Sequence, residues 1–149
     1  MKSQGEIEAA VCDGISRFQQ EFIGRGPRDI HAHLVGTLLV VRLQGVLTAA
    51  ERQLIAPRDE GDGDGAGRAG ERAAGNGNHN DNGNGRSLLK QVRAHMVATG
   101  RPRLEAIVSG ATGVGMVSVH HDISTITGEE VIVFSLAEQP ACRLKKLPK

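Results

Sequence analysis

The chain has 149 residues, a formal net charge of +1, no Trp or Tyr and three Phe. That length suits one domain, the weak net charge disfavours long-range attraction to nucleic acid or anionic lipid, and the scarcity of aromatics disfavours stacking on single strands. The N-terminal run MKSQGEIEAAVCDG lacks the apolar core of a signal peptide, and the longest apolar run, residues 38–41, is far short of a membrane span.

Taken in chain order, residues 4–23 form a first helix, because Ile7, Val11, Ile15, Phe18 and Phe22 recur at helical spacing. Ser3 and Glu6 stand at capping-box spacing, and Gly24-Arg25-Gly26-Pro27 stops the helix. Cys12, within it, and Cys142, at the far end of the chain, read as reduced thiols of a cytoplasmic protein. Residues 34–43, LVGTLLVVRL, read as one nearly continuous apolar strand. Thr48 then caps a short helix over 49–55, with Glu51 at the third helical position.

From 57 to 85 the composition shifts. The stretch holds all the asparagines and no Leu, Ile, Val or aromatic residue, so it cannot offset its own ordering entropy and reads as a low-complexity insert. Helical pattern returns at Arg86, with Leu88, Leu89, Val92 and Met96 on a face. Gly100 and Pro102 interrupt it before Leu104, Ile107 and Val108, which predicts either one kinked helix or two shorter ones. Residues 116–123 and 130–136 alternate as strands around a Gly128-containing turn, an antiparallel hairpin. The basic tail, CRLKKLPK, reads as frayed.

The expectation is a single α+β domain over 1–149, interrupted at 57–85. Helices pack on one face of a small, mainly antiparallel three-stranded sheet. Its free edges invite pairing between copies, so a homodimer is expected.

Two phrases could form a site. In FIGRGP, Gly24 and Gly26 let backbone amides approach a ligand, and Arg25 offers a planar fork for an oxyanion; the plainer reading is a helix stop with a surface arginine. In HHDISTITGE, His120 and Asp122 share a strand face beside a turn holding Thr125 and Gly128; the plainer reading is a polar sheet face. His31 and His33 share a face if their stretch is extended. An enzyme using His120 and Asp122 is a further reading, but no catalytic residue, metal site or cofactor is specified. Walker A, CxxC and HExxH motifs are absent, and GATGVG at 110–115 precedes a strand rather than a helix. Acidic positions between Glu60 and Glu71 only loosely mimic a calcium loop.

Together, several phrases in one order resemble a small bacterial family, the MpsC-like proteins, named for a sodium-translocating, membrane-potential-generating system. The matching stretches are 22–27, 41–51, 101–105, 112–113 and 120–134, so the resemblance spans the chain apart from 57–85 and the tail. It implies a non-catalytic cytoplasmic accessory or regulatory protein linked to sodium or bicarbonate transport. Such a protein would lie peripheral to the inner membrane, beside membrane-transport subunits and without inserting itself. The alternative is a small dimeric module that binds an anion or nucleotide near Arg25 and His120.

Overall fold

The computed structural model describes residues 1–56 and 81–143, with residues 81–84 described by backbone alone. The elements are α1 (Gln4–Ile23), β1 (Asp29–Val35), β2 (Leu38–Gln44), α2 (Ala49–Ile55), α3 (Asp81–Thr99), α4 (Arg101–Thr112), β3 (Met116–Ile123) and β4 (Glu130–Leu136). The class is α+β, as the residue patterns indicate. The expected insert lies mostly outside the described residues, as do the calcium-loop mimic and all of the basic tail beyond Arg143.

The sheet has four strands rather than three, in the order β1-β2-β4-β3, and every neighbouring pair is antiparallel. The run expected as one strand over 34–43 is instead the end of β1, a two-residue turn and β2. Gly36, at φ 61°, makes the reversal, and Val35 pairs with Leu38 across it. A glycine at the first central position is what a tight hairpin of this kind requires. β1 is obscured in the sequence because His31 and His33 dilute its apolar signal. The remaining apolar residues, Ile30, Ala32 and Leu34, still alternate toward the core.

Alternation divides the sheet cleanly. Ala32, Leu34, Leu39, Val41, Leu43, Ile132, Phe134 and Leu136 are buried. They meet Ile7, Val11, Ile15 and Phe18 of α1, Leu89 and Val97 of α3, and Leu104 and Val108 of α4 in one core. The opposite face is crossed by three side-chain rows: His31–Arg42–Val131–Asp122, His33–Val40–Val133–His120 and Val35–Leu38–Ser135–Ser118.

Of the two readings for the third helical region, two helices is the one observed. They meet at Gly100, with Pro102 in the first turn of α4. A Cβ on Gly100 would lie 2.3 Å from Cε2 of Phe18, so the helix junction sits directly on the α1 ring. α3 begins at Asp81, five residues before the position the sequence pattern suggests. Once the body of α3 is packed, extending it backward adds one hydrogen bond per residue without new nucleation, which outweighs poor local propensity. α2 carries the expected capping box: Thr48 accepts from the Glu51 N–H, and the Glu51 carboxylate accepts from the Thr48 N–H at 2.9 Å.

Candidate functional site

Two polar assemblies stand out, one buried and one open. The buried assembly centres on Arg93 of α3, whose side chain is 1% exposed. Its Nε and Nη2 donate to the two oxygens of Glu51 at 2.7 Å each, a bidentate fork. Nη2 also donates to the Val46 carbonyl at 2.8 Å, and Nη1 donates to Gln19 at 3.1 Å and Glu130 at 3.3 Å. All five guanidinium N–H groups therefore have acceptors. Gln19 donates in turn to Glu130, whose other oxygen lies 2.8 Å from Nε2 of His121.

The assembly ties together α1, the β2–α2 connection, α2, β3 and β4. Burial by itself would raise the Glu51 carboxyl, but the Arg93 fork and the Thr48 N–H outweigh it and hold the group below the usual glutamate range. Its groups satisfy one another, which suits a pin rather than a reaction centre.

The open assembly lies at the turn joining β3 to β4. A cleft of about 420 Å³ is lined by Lys90, Asp122, Ile123, Ser124, Thr125, Ile126, Glu129 and Val131. The turn is built by local sequence. Ser124 Oγ accepts from the Ile126 and Thr127 N–H groups, and the Gly128 N–H, at φ 77°, returns to the Ser124 carbonyl at 2.8 Å. Asp122 accepts from Lys90 Nζ at 2.8 Å and from the Ile123 N–H at 2.9 Å. The Lys90 hydrogen bond, followed by the Ile123 N–H, holds the Asp122 carboxyl below its ordinary range. Glu129 is likewise held low, first by Arg42 and then by Gln44. Each carboxylate is paired, Asp122 with Lys90 and Glu129 with Arg42, so the cleft presents two neutralised ion pairs beside a hydroxyl-bearing turn. Ile126, 85% exposed, adds an apolar knob at the rim.

Of the residues singled out in the sequence, Asp122 and Thr125 line this cleft, and Gly128 shapes its turn. His120 is exposed one row away on the sheet face, with Nε2 3.2 Å from Ser118 Oγ. Gly24 and Gly26 perform helix-end work: Gly24, at φ 87°, donates to the Gln20 carbonyl, and the Gly26 N–H donates to the Gln20 side chain at 3.0 Å. Arg25 is exposed beside them, and Asp122 forms its ion pair with Lys90. Sequence pattern does not single out Lys90, Ser124 or Glu129, nor the Arg93 assembly as a whole. Among the described residues no group of three or more His, Cys, Asp or Glu side chains could hold a metal ion, and both cysteines are free.

A helix-backed antiparallel sheet with a saturated buried cluster and an open polar cleft at one corner belongs to the class of small α+β domains. The family model described as "Na+-translocating membrane potential-generating system (MpsC)" matches residues 3–62 and 79–138, and the chain belongs to this family. The match passes over residues 63–78, inside the compositionally distinct stretch. "Uncharacterized protein YbcI" from Bacillus subtilis (strain 168) is 27% identical over 146 residues, covering 98% of each chain. No solved structure matches.

Proposed function

We propose that the chain is a non-catalytic accessory or regulatory component of a sodium-linked membrane transport system, acting from the cytoplasmic side as a peripheral protein. The observation that carries this reading is the family match, which covers the described fold from α1 to β4. Two features support it. No helix among the described residues is long and apolar enough to cross a membrane. The Arg93 assembly, the largest buried cluster of ionisable side chains described, is saturated by its own hydrogen bonds rather than poised for chemistry.

Docking to a membrane protein of that system uses the corner cleft, where an exposed isoleucine sits beside the Lys90–Asp122 pair. An apolar anchor next to a half-exposed ion pair is the composition of a modest, reversible interface. The test is affinity purification of the tagged chain from solubilised membranes of its own organism. Recovery of ion-transport proteins, and at least ten-fold less recovery with Ile126→Asp, is the expected result. An empty purification with a folded bait, or one unaffected by Ile126→Asp and by Lys90→Glu, overturns the docking assignment.

A further inference from the structure

The sheet face opposite the core is covered by no helix among the described residues, since α1, α3 and α4 all contribute buried side chains to the other side. Its three rows place Val40, Val131 and Val133 at the centre, half-buried by their neighbours alone. Val35 and Leu38 extend the apolar area and are 66% and 43% exposed. Histidines flank it on both outer strands: His31 and His33 on β1, and His120 on β3. Four strands of about seven residues span about 19 Å by about 23 Å at ordinary spacing and rise. That footprint, about 440 Å² before side-chain relief is added, approaches the lower end of what a specific dimer covers, about 600 Å² per partner.

We infer that this face packs against the same face of a second copy, about a two-fold axis parallel to the strands between β2 and β4. The inference is independent of which system the chain serves. Hydrogen-bonding complementarity between the rows selects the occupant and the axis, His31 and Asp122 both being exposed on this face. Such a rotation lays β1 over β3 of the second copy and keeps each row opposite itself in reverse. His31 then meets the partner's Asp122 twice, once at each end, His33 meets the partner's His120, and Val40 meets the partner's Val133 at the centre.

An axis perpendicular to the strands does worse. It sets His31 and Arg42 against the partner's Val35 and the partner's Leu38 and leaves Asp122 opposite the partner's Ser118. Aligned packing of two twisted sheets about 10 Å apart accommodates the first arrangement within its usual rotation of about 30°. A purely edge-to-edge dimer would leave the valine centre in water.

Sedimentation equilibrium of the full chain at micromolar concentration tests the inference. The expected mass is twice the 15.8 kDa of one chain. Val133→Lys and, separately, Leu38→Lys should each weaken association at least ten-fold with unchanged circular dichroism. Leu38, being half-exposed, gives a variant that folds even if the central one does not. Asp122→Lys should weaken association, and adding His31→Glu should restore it. Val92→Lys, on the outer surface of α3, should leave it unchanged. A monomer at every concentration, a dimer indifferent to both lysines on the face, a dimer lost with Val92→Lys, or no recovery in the charge-swapped pair overturns the inference.

Discussion

Arg93 joins five segments through one side chain, so its removal should be felt far beyond its own volume. Arg93→Met leaves Glu130 buried without its guanidinium partner, and breaking a buried pair this way costs about 3–5 kcal/mol. Urea unfolding should show a lowered midpoint with little change in slope. Glu51 contributes a pH dependence. Its folded value lies below the ordinary glutamate value of about 4.3. The stabilisation is therefore complete above that value and is lost as pH falls through the lower, folded one. Urea unfolding of Glu51→Gln should show a shallower decline in stability on acidification than the native chain. Gly100→Ala should also destabilise, by about 1–3 kcal/mol, because the added methyl enters space held by Phe18.

These positions are partly visible in the sequence. Arg93 stands four residues after Leu89 and four before Val97, Glu130 alternates with Ile132 and Phe134, and His121 alternates with Val119 and Ile123. A polar residue in step with an apolar stripe marks a buried polar group that must find a partner. The signal identifies such a residue but not its partner. Gln19, Glu51 and Arg93 are separated by dozens of positions, and only the fold brings them together. Local phrases carry further: the Ser124 turn, the Thr48 cap and the Gly24 stop are governed by neighbours in the chain, and each is legible. Lys90 is not, because a lysine on an exposed helical surface looks like any other.

At the scale of elements, α2 is the most dependent piece. None of its residues is fully buried, and it is held by the capping box and the Arg93 fork, both through Glu51, and by Ile55, half-buried against the core. Thr48→Ala should cost about 1 kcal/mol and raise amide exchange in 49–55 well before it affects the sheet. Exchange in α2 as slow as in α1 would show that the helix is anchored elsewhere. β1 illustrates the opposite failure of sequence reading. A continuous apolar run reads as one strand, although a single glycine at positive φ folds it into two. Run length alone does not distinguish a buried strand from a hairpin whose turn is only two residues long.

For the whole molecule, the family match on either side of residues 63–78 predicts that this stretch is dispensable. Replacing it by a direct join should change stability by less than about 1 kcal/mol, since loop entropy varies only with the logarithm of length. Loss of a cooperative thermal transition would refute this. The strand order has a kinetic side as well. β1–β2 and β3–β4 are local hairpins, each able to form within microseconds. The central seam between β2 and β4 pairs residues far apart in the chain, from Leu43 with Glu130 to Leu38 with Ser135. Barrier crossing therefore waits on zipping that seam, and Val40→Ala or Val133→Ala should slow refolding more than it speeds unfolding. Shortening the chain at 63–78 should accelerate refolding by less than about two-fold. The sheet is two independent hairpins until its middle closes, and the rate of closure sets how long an unpaired edge of β2 or β4 remains open to a wrong partner during synthesis.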